Sequence, residues 1–155
     1  MRKLFKLFLH LLFKCSFIEK PLPSNPFGKK IRASKEKYMA LHLEAINRKD
    51  SEISKFEKNY GYNIDKEWFD ELALHTQACI KKTRLNYSHG KLLYCVLNKY
   101  LNRKTLKKSS KITILETGTA RGFSSIIMSK VLIENKVNGQ IITIDCIPHN
   151  QKILW

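Results

Sequence analysis

Residues 112–130, ITILETGTARGFSSIIMSK, hold the pattern that decides the fold. Residues 112–115 form a short apolar, partly β-branched run, the composition of a strand covered on both faces in a parallel sheet. The run gives way at Glu116 to a turn containing Gly118 and Gly122, and from Phe123 to Leu132 apolar residues recur at helical spacing. Asn138-Gly139 then marks a turn before a second apolar run, QIITID, that ends in Asp145. Strand, glycine turn, helix and strand make a β-α-β unit. In such units ligands bind beyond the carboxyl ends of the strands, so Glu116, the glycine turn and Asp145 are expected to converge on one crevice.

The turn discriminates among ligands that glycine-rich loops hold. A phosphate-gripping loop needs G-x-x-x-x-G-K-[ST], and no lysine stands where that pattern requires one. A dinucleotide fold asks for G-x-G-x-x-G, but counting from Gly118 the middle and last positions are Ala120 and Phe123. The residues do match E-x-G-x-x-x-G, as Glu116-Thr117-Gly118-Thr119-Ala120-Arg121-Gly122, followed by Ser124 and, at the end of the next strand, Asp145.

On these residues the sequence resembles the class I S-adenosylmethionine-dependent methyltransferases. The resemblance implies an α/β, Rossmann-like methyltransferase fold with S-adenosylmethionine as cofactor. It also implies cofactor contacts from Glu116, Gly118, Thr119, Ala120, Gly122, Ser124 and Asp145, with Glu116, Gly118 and Gly122 holding the methionine part and Asp145 the ribose hydroxyls. The glycines would let backbone come into van der Waals contact with the ligand. SHGKLLYCVL, residues 88–97, is similar to the helix entry of the caffeoyl-CoA type of O-methyltransferases, which would set Ser88, His89 and Gly90 near the methionine end. The acceptor implied is the oxygen of a small molecule or glycan, and no catalytic residue is identified. Seven strands make up the family's sheet, whereas Trp155 lies a few residues past the second strand here. The expectation is therefore a fold truncated after its second strand, a cofactor-binding N-terminal fragment inactive alone. Each residue also has a plain structural role open to it: Glu116 as a charged strand end, the glycines as turn residues, Asp145 as the cap of a following helix, Ser88 as an N-cap and His89 as a surface histidine.

Upstream the chain is helical. The periodicity predicts helices over 34–47, over 50–60 with Gly61 as the stop, and from an Asp65 N-cap to about Lys82. A fourth helix is entered near Ser88, with Leu92, Leu93, Val96, Leu97, Tyr100 and Leu101 as its core stripe. The basic stretch NRKTLKKSSK connects it to the first strand. At the start, MRKLFKLFLHLLFKCSFI sets Lys3, Lys6, His10 and Lys14 on one narrow stripe of a helix that is otherwise Leu and Phe. It is too short and too charged for a bilayer span of about 20 residues, and it has no cleavage signal. Such a helix either lies on an anionic membrane surface or docks on its own protein. The domain reading is thus an amphipathic helix over 1–18, a proline-punctuated linker over 19–33, a helical region over 34–110 and the start of the cofactor domain over 111–155. No internal repeat interrupts this plan.

Composition narrows the partners. The chain of 155 residues carries 29 basic and 13 acidic side chains, a net charge of +16, and 24 of the basic ones precede residue 111. That charge favours anionic partners. The basic runs lie at helix ends and in loops without an aromatic recognition module, so nucleic acid ranks well behind a small-molecule or glycan acceptor. Cys15, Cys79, Cys95 and Cys146 form no C-x-x-C pair, and neither they nor the five histidines show metal-ligand spacing. Thiols of this kind suit a reducing compartment, so the expected location is cytoplasmic, with residues 1–18 as a peripheral contact on the inner face of a membrane. The competing class is a non-enzymatic, membrane-associating helical protein whose β-α-β tail is structural.

Overall fold

Residues 33–103 and 111–146 are described by a computed structural model. The expected terminal helix over 1–18, nearly all of the linker and most of the basic connection lie outside them. The elements are α1 (Lys35–Ile46), α2 (Ser51–Tyr60), α3 (Lys66–Gln77), α4 (Ser88–Leu101), β1 (Ile112–Thr117), α5 (Phe123–Glu134) and β2 (Gly139–Ile144). Helices followed by a parallel two-stranded sheet make this a mixed, α/β-type arrangement.

Local chemistry starts the first three helices. Side-chain oxygens of Ser34, Asp50 and Asp65 accept hydrogen bonds from the backbone N–H groups of Lys37, Ile53 and Trp68, satisfying donors that have no partner within the helix. Gly61 closes α2 in the left-handed conformation at φ +74°. By contrast α3 ends at Gln77, short of the Lys82 that periodicity predicts, because Ala78 turns extended. The stretch that follows buries Leu85 and Tyr87. The Tyr87 hydroxyl lies 3.2 Å from Nδ1 of buried His42 on α1, and burial pushes the phenol up to about 12. Core burial outweighs a few more residues of helix.

The second half is built on α4 against α5. A Cβ on Gly90 would lie 2.7 Å from Phe123 and Ile127, so the absence of a side chain sets how closely the two helices cross. Further along, Asn135 Nδ2 donates to Asn98 Oδ1 (2.7 Å) and Asn102 Nδ2 to Asn135 Oδ1 (2.8 Å), while the Tyr94 hydroxyl donates to Glu134. The buried face of α4 is therefore Gly90, Tyr94, Cys95 and Asn98, and the expected stripe is corrected. Leu97 and Leu101 do pack on the core, but Leu92, Val96 and Tyr100 are exposed. Phe123, Ile127 and Val131 of α5 join Phe69 and Ala73 of α3 in the core. Lys130 adds a link between these helices, with its Nζ 4.6 Å from the Trp68 ring centroid.

The strands pair in parallel with Ile112 opposite Gly139 and Thr117 opposite Ile144. β2 starts at Gly139 and stops one residue before Asp145, so the preceding turn is centred on Asn135 and Lys136 rather than on Asn138. The strand was expected to be covered on both faces. Instead β1 alternates between half-buried and exposed residues, and Leu115, Ile142 and Ile144 are open on the face away from α5.

Candidate functional site

The carboxyl ends of β1 and β2 and the amino end of α5 meet at the glycine turn. The Gly118 N–H donates to the Ile144 carbonyl at 2.7 Å, carrying the ladder one residue past β1. The chain then folds back on itself, and the Gly122 N–H reaches the Thr119 carbonyl at 2.8 Å. This path needs left-handed backbone at Gly118 (φ +83°), Ala120 (φ +47°) and Gly122 (φ +80°). Glycine takes that conformation without penalty, whereas at Ala120 it costs about 1–2 kcal/mol. Asp145 helps hold Ala120 there, since its Oδ2 accepts the Ala120 N–H at 2.7 Å.

Glu116 lies on the half-buried face of β1 and meets the first turn of α5. Its two carboxylate oxygens accept hydrogen bonds from the Ser124 and Ser125 hydroxyls. A carboxylate beside a helix amino terminus is also favoured by the peptide dipoles. Arg121 ties the turn to the helical half, with a guanidinium nitrogen donating to the His75 carbonyl near the end of α3 at 3.1 Å. Burial holds that guanidinium below its ordinary pKa.

All the residues singled out in the sequence, Glu116, Gly118, Thr119, Ala120, Gly122, Ser124 and Asp145, thus fall at one end of the β-α-β unit. The helix entry divides. His89 packs edge-on against Phe123 with ring centroids 5.0 Å apart, and Gly90 lies under the same ring. Ser88 does not join them: its hydroxyl donates to Asp50 Oδ2 at 2.9 Å, at the start of α2, and Tyr87 rather than Ser88 is the N-cap. Three site features were not foreseen, namely Ser125 on Glu116, the Arg121 anchor and the strained Ala120. Only Ser125 left a signal, as one of two adjacent serines in the first turn after an acid.

Ligand fit turns on the same geometry. A Cβ added at Gly118 would meet nothing within 4 Å, so the backbone borders open space there. The turn offers neither a lysine nor a third glycine for a pyrophosphate, while carboxylates at both strand ends suit a ligand with amino and hydroxyl donors. Among the described residues no group of histidine, cysteine and carboxylate side chains is placed to hold a metal ion. No helix among them is long and apolar enough to cross a membrane. No protein-family model matches the chain, and neither a curated protein nor a solved structure matches it.

Proposed function

We propose that the crevice at the ends of β1 and β2 binds S-adenosylmethionine, and that the chain takes part in methyl transfer to an oxygen of a small molecule or glycan within a Rossmann-like domain. The observation that carries this reading is the convergence of Glu116, the turn with Gly118 and Gly122, and Asp145 at one end of a parallel strand pair. The cofactor supplies an electrophilic methyl group on a sulfonium. Around it the chain contributes backbone that a ligand can approach at Gly118, and carboxylates at both strand ends. Asp145 would receive the ribose hydroxyls, and Glu116, held by Ser124 and Ser125, would keep the turn in place beneath the methionine part.

Calorimetric titration and thermal melts of the full chain test it. S-adenosylhomocysteine should bind and raise the melting temperature, whereas NADH and ATP should not. Asp145→Ala should weaken that binding by about 1.5–3 kcal/mol, the range for hydrogen bonds to a charged group. Stabilisation by ATP or NADH and none by S-adenosylhomocysteine would transfer the crevice to another ligand.

A second reading is favoured by one observation: both acids already have bonds within the fold, Glu116 to two serines and Asp145 to Ala120. On that reading the unit is structural, and the protein works at an anionic membrane through the Lys3, Lys6, His10 and Lys14 stripe. Co-sedimentation with anionic vesicles that weakens as salt rises, together with no nucleoside binding, would favour it over the enzyme.

A further inference from the structure

A cleft of about 180 Å³ opens on the helical side, lined by the end of α1 and the first turns of α2, α3 and α4. Its floor is apolar and aromatic, with Ala45, Ile46, Ile53, Phe69 and Tyr87. Its rim is cationic: Arg48, Lys49, Lys66 and Lys91 line it against only two carboxylates, Asp50 and Asp70.

Those two carboxylates are already engaged. Asp50 caps α2 through the Ile53 N–H at 3.2 Å and accepts the Ser88 hydroxyl at 2.9 Å. These bonds hold its carboxyl below the usual range. Asp70 pairs with Lys66, and Arg48 pairs with Glu44 outside the cleft. Asp50 stays ionised and Lys91 is among the charges that lower its pKa, so with Arg48 and Lys66 paired the lining keeps one cation in excess, Lys49 and Lys91 against Asp50. Lys49 makes no ion pair with any described residue, and Lys91 Nζ stands 5.8 Å from the centroid of the Phe69 ring. A volume of about 180 Å³ leaves room for an oxyanion and a small apolar body.

We propose that this cleft binds the anionic end of a small organic molecule, a carboxylate or a phosphomonoester, whose oxygens meet Lys49 and Lys91 while its apolar body lies on Phe69 and Ile53. An apolar and aromatic lining beside Lys49 and Lys91 favours an anion attached to an apolar group over a free inorganic ion, because that lining contributes only when it is covered. The site is separate from the crevice at the strand ends. Phe69 and Tyr87 stand between them, with ring centroids 5.6 and 6.5 Å from that of Phe123, the residue after Gly122. Occupancy of the cleft can thus be measured without any nucleoside.

Amide chemical-shift mapping on the full chain, with benzoate, phenyl phosphate and uncharged benzyl alcohol as probes, decides it. Benzoate or phenyl phosphate should shift residues 45–54, 66–70 and 86–91 with millimolar affinity, and the tighter of the two identifies the oxyanion. Lys49→Gln and Lys91→Gln should each weaken binding roughly tenfold, the loss of one charge-assisted hydrogen bond. Lys82→Gln, on an exposed residue outside the cleft, should leave it unchanged. Lys49 is itself exposed, so its replacement leaves folding intact. The proposal is overturned if neither anion shifts the cleft up to about 10 mM, if benzyl alcohol binds equally well, or if Lys82→Gln weakens binding as much as Lys49→Gln.

Discussion

Lys136 follows the C-cap of α5 at φ +53°, and its N–H and that of Val137 return to the carbonyls of Ile133 and Leu132. This is the helix-ending motif that glycine favours. A lysine there carries the left-handed penalty of about 1–2 kcal/mol, partly offset in glycine by its larger loss of chain entropy. Lys136→Gly should therefore stabilise the fold by about 0.5–1 kcal/mol, read as a higher denaturation midpoint at unchanged slope. His42 gives a second measurable effect. Burial, the largest influence, lowers its pKa, with Asp70 opposing and Lys66 adding to the shift. The unfolded chain then binds the proton more tightly, so stability present above the unfolded value of about 6.5 is lost as pH falls through the folded value. The melting temperature should drop as pH falls below the unfolded value of about 6.5, and drop less in His42→Asn. An equal drop in the variant would assign the acid sensitivity elsewhere. Residues acting within one helical turn were legible in the sequence: Asp65 caps its helix and Gly61 ends one as expected. Lys136 and Ala120 were not, because their left-handed backbone is imposed by hydrogen bonds to the neighbouring helix end and to Asp145.

The elements themselves follow hydrophobic periodicity: among the described residues the four helices expected between residues 34 and 101, both strands and the α5 region are present, with α3 ending at Gln77 rather than near Lys82. What periodicity misjudged is which face of α4 turns inward. Gly90 and Asn98 lie on the buried face although neither is hydrophobic: one allows close approach, and the other is satisfied by Asn135 and the Tyr94 carbonyl. Polar and small residues used in this way are invisible to a count of apolar positions. Gly90→Ala tests the close approach against helix propensity. Alanine would gain about 1 kcal/mol of propensity, but its Cβ would fall 2.7 Å from ring atoms of Phe123 and from Ile127, both fully buried. Overpacking at a site unable to yield costs about 1–3 kcal/mol, so the net effect should be a loss of up to about 2 kcal/mol. A more stable variant in chemical denaturation would mean that the α4 and α5 crossing adjusts freely. The end of α3 has a related cause. Residues 78–87 leave the helix to bury Leu85 and Tyr87, a tertiary demand with no trace in local spacing.

Across the molecule, a strongly basic chain carries an open apolar sheet face. Leu115 and Ile142 are partners in register, and with Ile144 they are 64%, 45% and 56% exposed. Apolar side chains grouped on one sheet face favour association with a second surface. Opposing that is the net charge of +16, which repels like copies at low ionic strength. Salt shortens the reach of that repulsion, to about 10 Å at 0.1 M and about 3 Å at 1 M, but leaves apolar burial in place. Self-association should therefore grow as salt rises, the reverse of contact through ion pairs. Leu115→Thr combined with Ile142→Thr keeps residues that suit a strand while removing apolar surface. Sedimentation across a sodium chloride series should show the average mass of the parent chain rising and that of the double variant staying flat. A mass that falls with salt would place ion pairs in the contact, and an equal rise in the double variant would move it to another face.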